Sequence, residues 1–261
     1  MDITRAAASR HVSTKKSPVK GGGNWLEDFR LISNASQRRY SQKDDIMILL
    51  INGSPKPNGN VHRMLEKIAV DTGLDYEMIH LARLKISPCL GCVKCAGDNR
   101  CIQSDDMAAL YEKIVAADAL IIGSPVYFGH PNAFTHTFLE RLFALRHVRM
   151  LTKDMPAAVV TVGGHEAEQV DREIAHHLTH YFCCKVVGSV FFNSATPPCF
   201  ICGYGATCEY GAPARWMDSE KFGNLKEITP DMFQKFEDHP EIPAKCETLA
   251  RKIKSAVAST S

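Results

Sequence analysis

The sequence predicts an α/β protein with three layers, in which a five-stranded parallel sheet of strand order 2-1-3-4-5 lies between helices. From residue 45 onward, short apolar segments alternate with segments of helical periodicity, which is typical of a doubly wound parallel sheet. The apolar segments lack polar alternation, as expected for strands buried on both faces. Polar, glycine-rich loops follow three of the strands, at the edge where such sheets bind ligands.

The predicted elements follow one another in regular order. Predicted strands occupy residues 47–51, 76–81, 119–123, 157–162 and 186–192. Predicted helices occupy residues 60–70, 104–116, 132–145, 166–181 and 242–257. Ser104 is expected to cap the second helix, because acidic residues follow it. The predicted organisation is a basic arm over residues 1–44 and a domain over residues 45–261, with a Cys-rich insert at residues 196–240.

The predicted N-terminal arm is strongly basic. Residues 1–43 carry nine Lys or Arg and three acids, a net charge of +6 against +2 for the whole chain. Trp25, Phe29 and Ile32 recur at helical spacing and predict a short amphipathic helix. We expect this helix to pack on the domain or to wrap a neighbouring subunit. Nucleic acid is not an expected partner, because nothing beyond charge indicates it.

The composition predicts a soluble globular protein, with 45% hydrophobic and 23% charged residues. No apolar run reaches the roughly 18 residues of a membrane-spanning helix, and the N-terminus lacks the apolar region of a secretory signal. We therefore expect a cytoplasmic protein without membrane contact. Ten cysteines are many for such a chain. In a reducing compartment, clustered cysteines more often bind metal or do redox chemistry than form structural disulfides.

The first polar loop has the character of a phosphate site. Residues 53–60 read Gly-Ser-Pro-Lys-Pro-Asn-Gly-Asn, between a predicted strand and a predicted helix. Glycines let backbone amides approach an anion, the helix N-terminus favours negative charge, and Ser, Asn and Lys add donors. The loop has neither the nucleotide triphosphatase pattern nor the dinucleotide fingerprint. An ordinary strand-to-helix turn is the alternative.

Two further loops follow predicted strands. Residues 123–129 read Gly-Ser-Pro-Val-Tyr-Phe-Gly, and residues 161–165 read Thr-Val-Gly-Gly-His. The aromatic pair could border a flat ring, and simple packing of Tyr127 and Phe128 is the alternative. Three such loops at one edge of a sheet together predict a cofactor site.

These three motifs, at these spacings, resemble the NAD(P)H-dependent FMN reductase superfamily, and within it the iron–sulfur flavoprotein branch. The resemblance covers about residues 46–195 and implies a flavodoxin-like fold with non-covalently bound FMN. It implies that the FMN phosphate is held at Ser54, Lys56, Asn58, Gly59, Asn60 and Val61. Relatives often carry Thr where this chain has Val61, so only the backbone amide of Val61 is expected to contribute. The isoalloxazine would be bordered by Pro125, Val126, Tyr127, Phe128, Gly129, Val162, Gly163 and Gly164.

The sharpest chemical feature is the cysteine run Cys89-x2-Cys92-x2-Cys95-x5-Cys101. Thiolates spaced in this way can converge on one metal centre, and four of them suit a [4Fe–4S] cluster. Similar spacing also binds zinc, and free or paired thiols are a third alternative. The run resembles the compact motif of iron–sulfur flavoproteins, which implies a cluster. It follows the second predicted strand, so a cluster there would lie at the flavin edge and could pass single electrons to FMN.

A second group, Cys199-x2-Cys202-x5-Cys208, lies in the predicted insert. Three cysteines make an incomplete ligand set, which a further residue or a partner subunit would have to complete. The alternatives for this group are a second metal centre and a disulfide or reactive thiol pair.

The sequence therefore predicts an FMN-dependent oxidoreductase that passes electrons between a [4Fe–4S] cluster and FMN, with the redox chemistry supplied by the cofactors. No paired-carboxylate or Ser/His/Asp pattern indicates acid–base catalysis, so no catalytic side chain is predicted. The resemblance implies a ferredoxin-like electron donor, with NAD(P)H as the other donor class, and a homo-oligomer, dimer or tetramer. The alternatives are a cluster-free NAD(P)H-dependent FMN or quinone reductase and a non-enzymatic redox or metal sensor.

Overall fold

The structure is a computed structural model, and it describes residues 46–259. The predicted basic arm of residues 1–44, its amphipathic helix and the domain boundary at residue 45 lie outside the described residues. These three features therefore stay predictions.

Five parallel strands form the central sheet in the predicted order 2-1-3-4-5. They are β1 Met47–Asn52, β2 Asp75–His80, β3 Ala119–Tyr127, β4 Pro156–Gly163 and β5 Lys185–Asn193. A two-residue strand, His130–Pro131, pairs antiparallel with the end of β3, and the sequence pattern does not predict it. The predicted third strand stops at Gly123, where the apolar run ends, whereas the extended backbone of β3 continues to Tyr127.

Helices cover both faces of the sheet. They are α1 Asn60–Thr72, α2 Met107–Ala116, α3 Ala133–Arg141, α4 Ala167–His176, α5 Ala212–Trp216, α6 Ser219–Gly223 and α7 Glu241–Ala258. Leu49 and Ile51 of β1 pack with α2, α3 and α4, while Ile48 and Leu50 pack with α1 and α7. Both faces are therefore buried, which explains the missing polar alternation and confirms the three layers. None of the helices in residues 46–259 is long and apolar enough to cross a membrane.

The start of α2 differs from the prediction. The helix begins at Met107 rather than at Ser104, and Ser104 does not cap it. Instead, the Asp105 carboxylate accepts a hydrogen bond from the Met107 N–H at 3.2 Å. The same carboxylate pairs with Arg141 at 2.6 Å, so a tertiary contact holds the acceptor at the position where the helix starts.

The predicted insert, residues 196–240, connects β5 to α7. It contains the five-residue helices α5 and α6 and three short 3-10 turns. Between Phe192 and Phe236, no residue belongs to either hydrophobic core. The insert therefore lies on the surface of the domain.

Candidate functional site

The carboxyl ends of β1 and β3 are joined where the first loop begins. The Gly53 N–H donates to the Gly123 carbonyl at 2.8 Å, and Asn132 Nδ2 donates to the Gly53 carbonyl at 2.7 Å. A Cβ on Gly53 would lie 1.9 Å from Thr135 Oγ1, so only glycine fits this position. These hydrogen bonds therefore hold the starts of the first and second predicted loops side by side.

The first loop, residues 53–60, leads into the N-terminus of α1. Asn52 is fully buried, and its Oδ1 accepts a hydrogen bond from the Ser54 N–H at 2.8 Å. Ser54 Oγ in turn accepts from the Lys56 N–H at 3.2 Å. Gly59 precedes α1 without a side-chain cap, so the first backbone N–H groups of α1 lack helical partners. With the exposed Lys56, they form the kind of concavity that binds anions.

The Asn60 side chain is engaged with the end of the insert. Its Nδ2 donates to the Gln234 carbonyl at 3.0 Å, and its Oδ1 accepts from the Phe236 N–H at 3.3 Å. Arg63, which sequence analysis does not single out, donates to the same Oδ1 at 2.7 Å and also to the Asn58 carbonyl. The Asn60 backbone N–H, rather than its side chain, is therefore the group left to face a phosphate.

Two histidines lie beside the first loop, and sequence analysis does not indicate them. The rings of His62 and His80 stack with centroids 5.2 Å apart. Their Nδ1 atoms lie 3.5 and 3.4 Å from Asn52 Nδ2. Burial lowers the pKa of His80, and the nearby Arg83 and His62 lower it further. The charged form of His80 is therefore disfavoured, and the Asn52 amide connects both rings to the first loop.

The second loop turns back at Phe128 and Gly129. Both residues have positive φ angles, 53° and 77°. A Cβ on Gly129 would lie 2.9 Å from Glu166 Oε2, so this turn touches the start of α4. Phe128 is fully exposed and Tyr127 is 45% exposed. Simple packing into the domain is therefore wrong for Phe128.

The third loop is close-packed at Gly163 and covered at Gly164. A Cβ on Gly163 would lie 2.6 Å from the His165 carbonyl and 2.9 Å from Val126 Cβ. The Trp216 ring, at the end of α5, lies 3.5 Å from the position of a Cβ on Gly164. His165 meets the same ring edge-on, with centroids 4.7 Å apart. The structure thus brings the three predicted loops to one edge of the sheet, and Trp216 of the insert forms a wall over the third.

The four cysteines of the first run lie between β2 and α2, in what we call the cysteine loop, residues 87–105. Cys95 is buried, Cys92 is exposed, and Cys89 and Cys101 are intermediate. Burial raises the pKa of Cys95, and the charges of Cys101, Cys89 and Cys92 raise it further. Cys95 therefore lies near enough to the other three cysteines for their charges to disfavour its thiolate. Among residues 46–259, no group of three or more His, Cys, Asp or Glu side chains has metal-binding geometry.

A buried ion pair holds the cysteine loop against the domain. Arg141 is 1% exposed and donates to both Asp105 oxygens, at 2.6 and 3.0 Å. It also donates to the Ser87 carbonyl at 2.7 Å and to Cys101 Sγ at 3.5 Å. Burial opposes ionisation of Asp105, but hydrogen bonds from Arg141 and the Ser87 N–H outweigh it and lower the pKa of Asp105. A positive charge that sequence analysis misses therefore lies beside Cys101.

These features define a doubly wound α/β protein with three polar loops at the carboxyl ends of its strands, the edge where such sheets bind ligands. Residues 46–197 match the family model described as NADPH-dependent FMN reductase. The chain belongs to this family of flavin-dependent oxidoreductases.

Two curated relatives carry the name iron-sulfur flavoprotein, which confirms the predicted resemblance to that branch. The protein of Archaeoglobus fulgidus is 33% identical over 117 residues, which are 44% of this chain and 53% of that protein. The protein of Methanosarcina thermophila is 29% identical over 143 residues, which are 53% of this chain and 75% of that protein. The chain thus spans about half the length, 53%, of the first of these relatives.

Solved structures have the same fold at low sequence identity. RosB, solved with bound 8-demethyl-8-formylriboflavin-5'-phosphate, gives a TM-score of 0.57 at 13% identity and covers 82% of this chain and 79% of RosB. A flavone reductase gives a TM-score of 0.52 at 18% identity and covers 82% of this chain and 63% of that chain. At such identities the likeness shows the fold alone.

Proposed function

We propose that the protein is an FMN-dependent oxidoreductase in which a [4Fe–4S] cluster exchanges electrons with FMN. The cluster ligands would be Cys89, Cys92, Cys95 and Cys101. The observation that carries this proposal is that four cysteines follow the carboxyl end of β2, the strand that pairs with β1 in the sheet. Four thiolates match the ligand requirement of the cluster. The names of the two relatives support a cluster, and the family supports FMN.

The first loop fits the phosphate of FMN. The backbone N–H groups at the start of α1 would donate to the phosphate oxygens, and the ammonium of Lys56 would add a positive charge. Ser54 Oγ accepts a hydrogen bond from the Lys56 N–H. We expect its hydroxyl to donate to a phosphate oxygen at the same time. The proposed phosphate-binding residues are Ser54, Lys56, Asn58, Gly59, Asn60 and Val61.

The second and third loops fit a flat aromatic ring. Their glycines allow close approach of the backbone, and the fully exposed Phe128 offers an apolar surface that the domain itself does not use. The proposed ring-binding residues are Pro125, Val126, Tyr127, Phe128, Gly129, Val162, Gly163 and Gly164. When bound, FMN supplies the hydride and single-electron chemistry, and the chain binds and orients it.

The cysteine loop fits a negatively charged centre. The Arg141 guanidinium, buried against Cys101, would offset the charge of four thiolates. We propose a ferredoxin-like protein or NAD(P)H as the electron donor. A homo-oligomer, dimer or tetramer, is part of the same proposal.

The test is metal and flavin analysis of protein purified without oxygen. We expect release of FMN rather than FAD on denaturation, and about four irons per chain. Cys92→Ala should lose the iron, keep FMN and slow FMN reduction by a one-electron protein donor. Cys183→Ala is the matched control, because this exposed thiol precedes β5 at the opposite edge of the sheet.

Other outcomes would assign other functions. Protein that is reconstituted without oxygen, holds FMN but no iron, and turns over NAD(P)H would be a cluster-free FMN or quinone reductase. Protein that shows no turnover with any donor, but binds a partner in a metal-dependent manner, would be a redox or metal sensor.

A further inference from the structure

The insert has almost no apolar interior of its own. In residues 198–235, only Gly205, Gly211 and Pro213 are buried, and the longest helices have five residues. Short segments of this kind depend on a staple, such as a metal ion or a disulfide, to keep one conformation. The packing of Trp216 on the third loop requires that the insert does keep one conformation.

Three cysteines of the insert lie around the turn that leads into α5. A Cβ on Gly211 would lie 3.6 Å from Cys199 Sγ and 3.4 Å from Cys208 Cβ, so these two cysteines face each other across Gly211. Cys202 Sγ lies 3.2 Å from the Cys199 carbonyl oxygen. Cys199 thus lies near both Cys202 and Cys208, although the three are spread over ten positions of sequence. As they stand, the three sulfurs do not form a ligating group.

Backbone N–H groups point at two of the three sulfurs. The Ala212 N–H donates to Cys199 Sγ at 3.2 Å, and the Tyr204 N–H donates to Cys202 Sγ at 3.4 Å. Gly203, with a φ angle of 84°, makes the left-handed turn that directs the Tyr204 N–H back to its sulfur. Hydrogen bonds of this kind can orient the two sulfurs as metal ligands.

The ligand set differs from that of the cysteine loop in its first member. The spacing from Cys199 to Cys208 equals the spacing from Cys92 to Cys101, but Thr196 stands where a counterpart of Cys89 would be. The Thr196 hydroxyl donates to the Ser194 carbonyl at 3.1 Å and accepts from the Gln234 N–H at 3.0 Å. Three thiols without a fourth fit a single metal ion better than a four-iron cluster.

We propose that Cys199, Cys202 and Cys208 bind one Zn²⁺ ion through three thiolates, with its fourth position open to water or a small ligand. Zinc accepts thiolate ligands in tetrahedral geometry, and three protein ligands with one open position are a known zinc arrangement. Binding draws the thiols into ligating positions, so it is coupled to ordering of the insert. The ion thereby holds α5 and keeps Trp216 over Gly164.

The first experiment is zinc and iron analysis of the full chain, purified without oxygen and with zinc supplied. Cys202→Ser and Cys208→Ser should each lose about one zinc per chain, as the single-ion stoichiometry requires, while their iron and FMN contents stay unchanged. Cys92→Ala should lose iron and keep zinc, and Cys183→Ser should keep both. A wild-type chain that binds no zinc would overturn this proposal, whereas a chain that binds no iron would overturn only the proposed function.

The second experiment separates a metal site from a disulfide. Under the proposal, three masked thiols become reactive after addition of a chelator alone. If instead one of the three thiols reacts from the start and the other two react only after a reductant is added, the group holds a disulfide and the proposal fails. In a Trp25→Phe background, where Trp216 is the remaining tryptophan, chelation should shift the Trp216 emission. Removal of zinc without any shift would overturn the role of the ion in placing Trp216.

Discussion

The molecule carries two groups of cysteines in opposite surroundings. The three cysteines of the insert repeat the spacing of the last three in the cysteine loop. In the cysteine loop, Cys95 is buried and the buried Arg141 reaches Cys101. In the insert, Cys202 is exposed and residues 198–235 add nothing to either hydrophobic core. The shape of the first group is therefore maintained by the protein around it, whereas the second group has only its own turns.

This difference indicates two ways to keep thiols in place. The cysteine loop is anchored by a paired buried charge, which should persist when no metal is bound. Residues 198–235 of the insert have no buried ion pair of this kind, and under the zinc proposal their order depends on what the three thiols bind. A second buried carboxyl, Asp171 in α4, has no ion pair within residues 46–259, unlike Asp105. Substitutions in the cysteine loop, in α4 and in the insert test this difference.

The largest expected effect is on the anchor of the cysteine loop. Arg141→Met leaves the largely buried carboxylate of Asp105 without its cationic partner, although the Ser87 and Met107 N–H groups still donate to it. Breaking a buried ion pair in this way costs about 3–5 kcal/mol. We expect urea unfolding to show this loss. Adding Asp105→Asn to Arg141→Met should restore most of it, because no buried charge then lacks a partner.

The control is the exposed ion pair between Arg172 and Glu168. Arg172→Met should change the unfolding free energy by less than about 1 kcal/mol, as is usual for surface pairs. If Arg141→Met behaved like Arg172→Met, the ion pair would not anchor the loop and the contrast with the insert would fail.

The second prediction concerns the buried carboxyl of Asp171, which lacks an ion pair. Burial raises the pKa of Asp171 to about 6, although hydrogen bonds with Ser189 and Thr161 act against this. The folded state therefore binds the proton more tightly than the unfolded state. The unfolding free energy should fall as the pH rises from 3.8 to about 6 and stay low above that range.

Asp171→Asn should remove this fall. At pH 7.5 the variant should be more stable than the parent by up to about 3 kcal/mol, the equivalent of a shift of about two pKa units. At pH 3.5 the two proteins should be nearly equal. A parallel decline of both proteins across this range would show that another group is responsible for the pH dependence.

Sequence reasoning succeeds where a local pattern decides the structure. Apolar runs without polar alternation predict the five strands, and their order is the one expected for a flavodoxin-like fold. Glycine-rich segments after strands predict the three loops at one edge. The four cysteines are likewise visible as a run. In each case the decisive residues are neighbours in the sequence.

Sequence reasoning fails where a distant contact decides. Ser104 does not cap α2, because Arg141, which lies 36 positions away, fixes Asp105 where the helix begins. The Asn60 side chain is not available to the first loop, because it donates a hydrogen bond to Gln234, 174 positions later in the insert. Arg63 is the exception. A basic residue in the first turn of α1, beside a predicted anion site, could have been noticed from the sequence.

The third prediction tests whether the flavin site is independent of both cysteine groups. Lys56→Glu places a negative charge beside the proposed phosphate, so FMN affinity should fall about tenfold or more, equivalent to about 1.4 kcal/mol. Titration with FMN measures this. Lys153→Glu makes the same charge change at an exposed site before the amino end of β4 and should leave FMN affinity unchanged. Equal affinities of the two variants would remove Lys56 from the site.

The smallest expected effect is at the contact between the insert and the third loop. Trp216 is 49% exposed and belongs to neither hydrophobic core. Trp216→Ala should therefore change the unfolding free energy by less than about 0.5 kcal/mol, as is usual for surface positions. Because the ring covers Gly164 and His165, loss of this wall should weaken FMN binding about threefold, equivalent to about 0.7 kcal/mol.

Tyr210→Ala is the matched control for Trp216→Ala. This aromatic residue belongs to the same insert and is 87% exposed, so its removal should change neither quantity. The result that matters most for the comparison is the stability of Trp216→Ala. A loss above about 1 kcal/mol is larger than surface positions usually give. Such a loss would mean that the insert shares the stability of the domain, and its thiols would then be held by the protein, as those of the cysteine loop are.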